Sequence, residues 1–332
     1  MSEEMFMGRK NVAKKYLFSA VLGLNLIITV LSLILGCLMY TSNAKAIRKN
    51  LVFVEVTGLL TNIRYGLHFG KNIETYYGMQ DLLEKTAKSA EETDNFYIVD
   101  EAGTILFQTG NSVPGARILD LAEDSYLKEG EKFYCSFPVS DGARMITESD
   151  ISNDVKDWNR YYLDQTLVTT FGFLVVTIVM LILRGLLKET SVSYRLIMSL
   201  LVLWVLGISS LIGYCTYTEY RKSIEQMCES MERTVLADLE RVHENGIDDE
   251  NITGMDDYLK RYVENISEID GVSLRDTGDG CVFHLSRVFL GRVKVDYTMQ
   301  AFLLLAFSVM ILTEYHLFVS GIHLNEEEDD YG

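Results

Sequence analysis

Residues 16–40 read YLFSAVLGLNLIITVLSLILGCLMY, 25 positions without a charge. A helix crosses a hydrocarbon core of ~30 Å in roughly 20 residues, so this run is long enough to span a bilayer. It exceeds the ~7–15 residues of a signal-peptide core, and no small-residue cleavage motif follows it, so a retained membrane anchor is expected. Three similar runs lie further along the 332-residue chain: 165–183 with 19 uncharged positions, 196–218 with 23, and 297–313 with 17 before Glu314, after which apolar character resumes to Leu324. The expectation is four spanning helices, at 16–40, 165–183, 196–218 and 297–324.

Between the spans lie two polar loops, 41–164 and 219–296, and a short connection, 184–195. Arg9, Lys10, Lys14 and Lys15 precede the first span, and Arg184, Lys188 and Arg195 occupy the connection. By the positive-inside rule both are cytoplasmic, so the two loops face outward and both termini, residues 1–15 and the acidic tail 325–332, lie inside. Lys45, Arg48, Arg221 and Lys222 sit at the other ends of the spans, but loops beyond about 60 residues translocate largely regardless of charge. The place expected is therefore the plasma membrane, multi-pass, in contact with lipid.

The whole chain has a formal charge of −17, and each loop is acidic: 13 basic against 20 acidic residues in 41–164, and 10 against 18 in 219–296. Neither balance suits a nucleic-acid binder. Of five cysteines, Cys37 and Cys215 lie in or at the end of spans and Cys135, Cys228 and Cys281 in the loops, which is no disulfide framework. Cys228 and Cys281 share a loop and either pair or stay as buried thiols. Phosphate-binding loops, dinucleotide fingerprints, kinase motifs and zinc-spaced Cys/His pairs are missing from the sequence, so no enzyme activity, metal or cofactor is expected.

The two halves of the chain repeat at a single fixed offset, the one that carries Gly70 onto Gly246. At that offset the first span falls on 192–216, Gly78 on Gly254, Met79 on Met255, Asp81 on Asp257, Leu83 on Leu259, and Asp100 on Asp276. The second copy lacks the equivalent of about 40 residues after Thr109. The pattern is span, domain, span, written twice and abbreviated the second time.

Within 41–164, Phe53, Val56, Leu60, Ile63 and Leu67 alternate by three and four, the seam of a helix, and no proline interrupts the chain from residue 16 to that point. Residues 74–90 read as a second helix that buries Tyr77, Leu82 and Leu83. Phe96–Val99 and Thr104–Gln108 read as strands around Asp100–Gly103, with Gly103 free to take positive φ. Lys132–Val139 and Ala143–Thr147 read as a second hairpin around Ser140–Gly142, with an irregular segment between the hairpins.

Gly70, the Tyr76–Met79 segment, Asn95–Leu106 and Phe137–Gly142 together resemble the Cache domains of bacterial membrane sensors. The resemblance covers 41–164 and extends to 219–296 through the repeat, by way of 254–259 and 271–276. It implies an α+β membrane protein with two extracytoplasmic PAS-like modules, each held between membrane helices, that senses a small ligand. The Tyr, Arg, Trp and Asp signature by which some Cache domains bind amino acids is not found, so no ligand class carries over.

The candidate ligand-binding residues are Arg64, Tyr76, Tyr77, Tyr97 and Tyr134, all in the longer copy. One cation and four rings with hydroxyl tips suit a small carboxylate or polar organic solute. The alternatives are a solvated surface arginine and core aromatics. The chain as given carries no output domain, so the signal is expected to pass to a cytoplasmic or membrane partner or a fused module, with homo-oligomerisation open. The rival is a non-catalytic accessory subunit whose domains dock on a transporter or envelope complex. A transporter in its own right is weaker, since Asn25 and Glu314 are the only distinctive polar groups in the spans.

Overall fold

A computed structural model describes residues 2–140, 142–186, 191–244, 259–260, 266–274, 281–299, 302–303, 305–306 and 309–310. The chain divides into a span unit, Met1–Thr41 with Tyr161–Glu219 and Gly291–Gly332, and a sheet unit, Ser42–Arg160 with Tyr220–Leu290.

Three described helices are long and apolar enough to cross a membrane, with windows of mean hydropathy 2.4, 2.5 and 1.8. They belong to α1 (Ser2–His68), α4 (Ser152–Leu186) and α5 (Ser191–Glu244). In the span unit Ile28, Met180, Leu201 and Val205, from these three helices, form one buried cluster, while Leu26, Phe171 and Leu203 point outward. That outward apolar surface fits a lipid environment. Of the fourth apolar run, residues 297–299, 302–303, 305–306 and 309–310 are helical, and Leu305 packs on that cluster. Glu314 and the acidic tail lie outside the described residues.

In the sheet unit α1 buries Val52, Val56, Leu59, Leu60 and Ile63, a wider stripe than the single seam read from sequence. The helix stops where Gly70 takes φ 86°, its N–H bonding Leu67 O at 2.9 Å and that of Lys71 bonding Gly66 O at 3.3 Å. Glycine adopts this left-handed conformation without a Cβ penalty and so satisfies the last carbonyls.

The second helix, α2, is Met79–Ser89 rather than 74–90, because Gly78 (φ 83°) forms its N-cap. Met79 and Leu83 are buried in it, whereas Tyr77, expected inside, lies before the helix and is 95% exposed.

Five antiparallel strands follow: β1 (Asn95–Val99), β2 (Ile105–Gln108), β3 (Tyr126–Glu129), β4 (Lys132–Ser140) and β5 (Ala143–Asp150), in the order β2-β1-β5-β4-β3. Both expected hairpins are present, and Gly103 takes φ 77° where Asp100 accepts its N–H. Sequence reading missed β3 and the four-residue α3 (Ala116–Leu119). One sheet face carries Phe96, Ile98, Phe133, Cys135, Phe137 and Met145, all buried, with Phe53 of α1 5.9 Å from Phe137, ring to ring. The other carries Tyr97, Val99, Tyr134 and Ile146 beneath Ile118 of α3. Arg144 secures that cover by donating to Leu121 O (2.7 Å) and Leu119 O (3.3 Å).

Among the described residues, the second copy contains the antiparallel hairpin of β6 (Ile269–Leu274) and β7 (Cys281–Leu285). Carried across by the repeat offset, β1 and β2 fall on 271–275 and 281–284, so the repeat places strand on strand. Asp276, Gly246 and Gly254 lie outside the described residues. Cys37, Cys135, Cys215 and Cys228 are free thiols, so Cys228 does not pair with Cys281.

Candidate functional site

Phe53, Thr57, Leu60, Thr61, Arg64 and His68 recur on one flank of α1 at helical spacing. With Phe137 and Pro138 of β4 they line a cavity of about 690 Å3. A small-molecule site needs roughly 300 Å3 or more. Each end of this groove has its own chemistry. Phe53, Leu60 and Phe137 supply an apolar body, and Thr57 spends its hydroxyl on Phe53 O (2.7 Å) within its own helix. At the mouth stands Arg64, exposed, donating from Nη2 to Pro138 O. A guanidinium has five N–H donors in a fixed fork, keeps its charge at any physiological pH, and matches a carboxylate or phosphate two bonds at a time. Tyr65 and His68 flank it. Across the groove Asp124 turns the chain at φ 52°, and its carbonyl accepts from Lys49 Nζ at 2.6 Å.

Tyr97 and Tyr134 lie on the opposite face of the sheet. Both are buried, and both surround Glu148, itself 3% exposed. The Tyr97 hydroxyl is 2.8 Å from Ser112 Oγ and donates to Glu148 Oε2 at 3.2 Å, and Lys132 Nζ pairs with Glu148 Oε1. Burial above all, then the Glu148 charge, outweighs the Ser112 bond and pushes the Tyr97 phenol up to about 12. The Tyr134 phenol is raised for the same two reasons. Ile118, Leu119 and Leu121 fill the space above them. The two phenols are protonated hydrogen-bonding groups of a packed core and anchor Glu148.

Tyr76 is elsewhere again. It is half-buried against α1, where a side chain at Gly66 would overlap its ring, and Lys71 Nζ stands 4.1 Å from the ring centroid. The five residues singled out from sequence therefore separate into Arg64 in the groove, Tyr97 and Tyr134 under the α3 cover, and Tyr76 and Tyr77 in the α1–α2 connection. Sequence reading missed Tyr65 and His68. Their signal was present, since they share the helical flank of Leu60, Thr61 and Arg64.

A second cavity, about 410 Å3, lies among α1, α2 and the stretch of α5 that bears Ser230, Arg233, Thr234 and Ala237. Its acid Glu55 accepts the backbone N–H groups of Glu91 and Glu92 through Oε1, so the carboxylate caps the end of the α2–β1 connection. Burial raises its pKa and those hydrogen bonds oppose the rise.

Compared with family models, with curated proteins and with solved structures, this chain finds no match.

Proposed function

We propose that the protein is a multi-pass membrane sensor with four spans, whose Cache-like sheet unit faces outward and takes a small carboxylate into the Arg64 groove. The carboxylate pairs with the Arg64 guanidinium, and the apolar remainder of the ligand lies along Phe53, Leu60 and Phe137. The observation that carries this reading is the place of Arg64: a charged fork at the mouth of a cavity of ligand size, on α1, the same unbroken helix that contains the first apolar run. A ligand that favours one arrangement of α1 over another shifts the population of spans by that difference in affinity. The signal then passes to a cytoplasmic, membrane or fused output module.

One observation favours the accessory-subunit reading. Tyr65 and Phe69, 67% and 68% exposed with rings 4.7 Å apart, make an aromatic patch beside the groove, and aromatic residues are enriched at protein interfaces.

The full chain in detergent, heated with a panel of small carboxylates, separates the two. A ligand at a hundredfold excess over its Kd stabilises by about 2.7 kcal/mol. Arg64→Ala should abolish the shift and leave the unliganded melting temperature nearly unchanged, since the side chain is exposed. A panel without a single stabilising member, or a shift that survives Arg64→Ala, contradicts this site.

A further inference from the structure

We infer that the chain is a covalently joined pseudo-dimer, in which α5 of the second half occupies against α1 the place that α1 of a second copy would take. The sequence repeat carries Gly70 onto Gly246, and the same shift carries Thr29 onto Val205, Gly36 onto Ile212 and Tyr40 onto Thr216. Side-chain contacts between the two helices follow that shift to within one position. In the span unit Trp204 Nε1 donates to Thr29 Oγ1 at 3.2 Å, and Trp204 is the immediate neighbour of the Thr29 equivalent. A Cβ built on Gly36 lies 3.8 Å from the Cβ of its own equivalent, Ile212. Tyr161 of α4 touches both members of another equivalent pair, stacking on Tyr40 at 3.8 Å and bonding Thr216 Oγ1 at 2.8 Å. In the sheet unit, taken by itself, Val54 and Ser230 line the 410 Å3 cavity together, as do Gly58 and Thr234, and both are equivalent pairs of the repeat.

A constant difference in residue number along a contact means that the helices run parallel. Its value, though, is free for an arbitrary pair: a slip of one helical turn would move every contact three or four positions away from its equivalent. Agreement with the repeat offset, in direct contacts of the span unit and in a shared cavity lining of the sheet unit, means that equivalent positions lie on opposing faces of the two helices. That is the property of residues beside a two-fold axis in an isologous interface, where each patch meets its own copy. The surface of α1 that would join a homodimer is therefore occupied by the chain's own second half. Among the described residues, the abbreviated copy supplies the partner helix and the β6–β7 hairpin.

The test uses the full chain with its five native cysteines replaced and a protease site inserted between α4 and α5. Gly36→Cys with Ile212→Cys places two Cβ atoms at 3.8 Å, the mean separation in disulfides. Gly58→Cys with Thr234→Cys, joined by a short bismaleimide, reports on the sheet unit and stands in if the first pair perturbs folding. Ile27→Cys with Leu203→Cys is the control, equivalent in sequence but outward-facing on both helices, 56% and 65% exposed. After cleavage, the two halves should stay in one band of single-chain mass for either test pair and separate fully for the control. Links between two chains, no link at either test pair, or a control that links as readily, would each overturn the pseudo-dimer.

Discussion

Arg48 ties three elements of the sheet unit together. Its side chain, 10% exposed, reaches from α1 to Glu92, through Nη1 to the carboxylate and through Nη2 to the carbonyl at 3.0 Å, and lies 3.6 Å from Asp154 in the first turn of α4. Arg48→Met keeps the aliphatic volume and removes the charge. Truncating one member of a fully buried pair costs about 3–5 kcal/mol, chiefly by stranding the other charge. Here Glu92 and Asp154 are 27% and 36% exposed, so water recovers part of that, and about 2–3 kcal/mol is expected. For a unit of this size that lowers Tm by roughly 10 °C, measured by differential scanning fluorimetry in detergent.

The pH dependence of that loss has a definite sign. Burial already raises the Asp154 carboxyl above its usual value, with Arg48 as the opposing influence. An acid whose pKa is higher folded than unfolded binds its proton more tightly in the native state, so stability falls as pH climbs through the raised value. Without Arg48 that value rises further. The deficit of the variant is thus largest at neutral pH and shrinks as pH falls towards the carboxylate range. A deficit below about 0.5 kcal/mol, or one equal at pH 7.5 and pH 5, would refute the reasoning.

Gly110→Ala should cost about 1–2 kcal/mol, because φ is 73° there and the new Cβ would overlap the Asn95 side chain, whereas Gly115→Ala, at φ −65° in open space, should be near neutral by the same melt. Tyr97→Phe forfeits the Ser112 and Glu148 hydrogen bonds and should lose about 1–2 kcal/mol at neutral pH. The wild-type phenol, raised in the folded state, stabilises fully below its unfolded pKa near 10 and loses that contribution as pH climbs to about 12, so the variant should be flatter across that window. Reporter fusions after Leu187 should be cytoplasmic and a fusion at Gly110 exported, and the reverse pattern would invert the proposed orientation.

Local physics made much of this fold legible. Charge-free runs of 25, 19 and 23 residues mark the first three apolar helices because bilayer thickness sets the length. Asp100–Gly103 marked its turn because only a left-handed residue closes it, and Gly103 sits at φ 77°. What stayed hidden depends on distant partners. The four residues of β3 form a strand because β4 pairs with them, and α3 is held by Arg144 from another strand. Tyr77 was misplaced because Gly78, read as part of a helix, starts it instead. Tyr97 and Tyr134 do share a sheet face, as their strands imply, but sequence could not show that α3 covers that face or that Glu148 lies between them. For the candidate site, the flank of α1 bearing Arg64 was readable, whereas the opposite wall, Phe137 and Pro138, comes from β4, a strand far along the chain that no local pattern on α1 announces.

Sensing requires that a ligand bound in the sheet unit alter the spans, and the chain carries its own reporter for that. There are two tryptophans, Trp158 in the sheet unit and Trp204 in the span unit, where the indole donates to Thr29 Oγ1 between α5 and α1. With Trp158→Phe, emission comes from Trp204 alone. Saturating the full-length protein in lipid nanodiscs with a carboxylate that stabilises it should shift the Trp204 emission, and Arg64→Ala should remove the shift. Binding established by dialysis with an unmoved Trp204 spectrum would contradict the claim that this protein is a sensor.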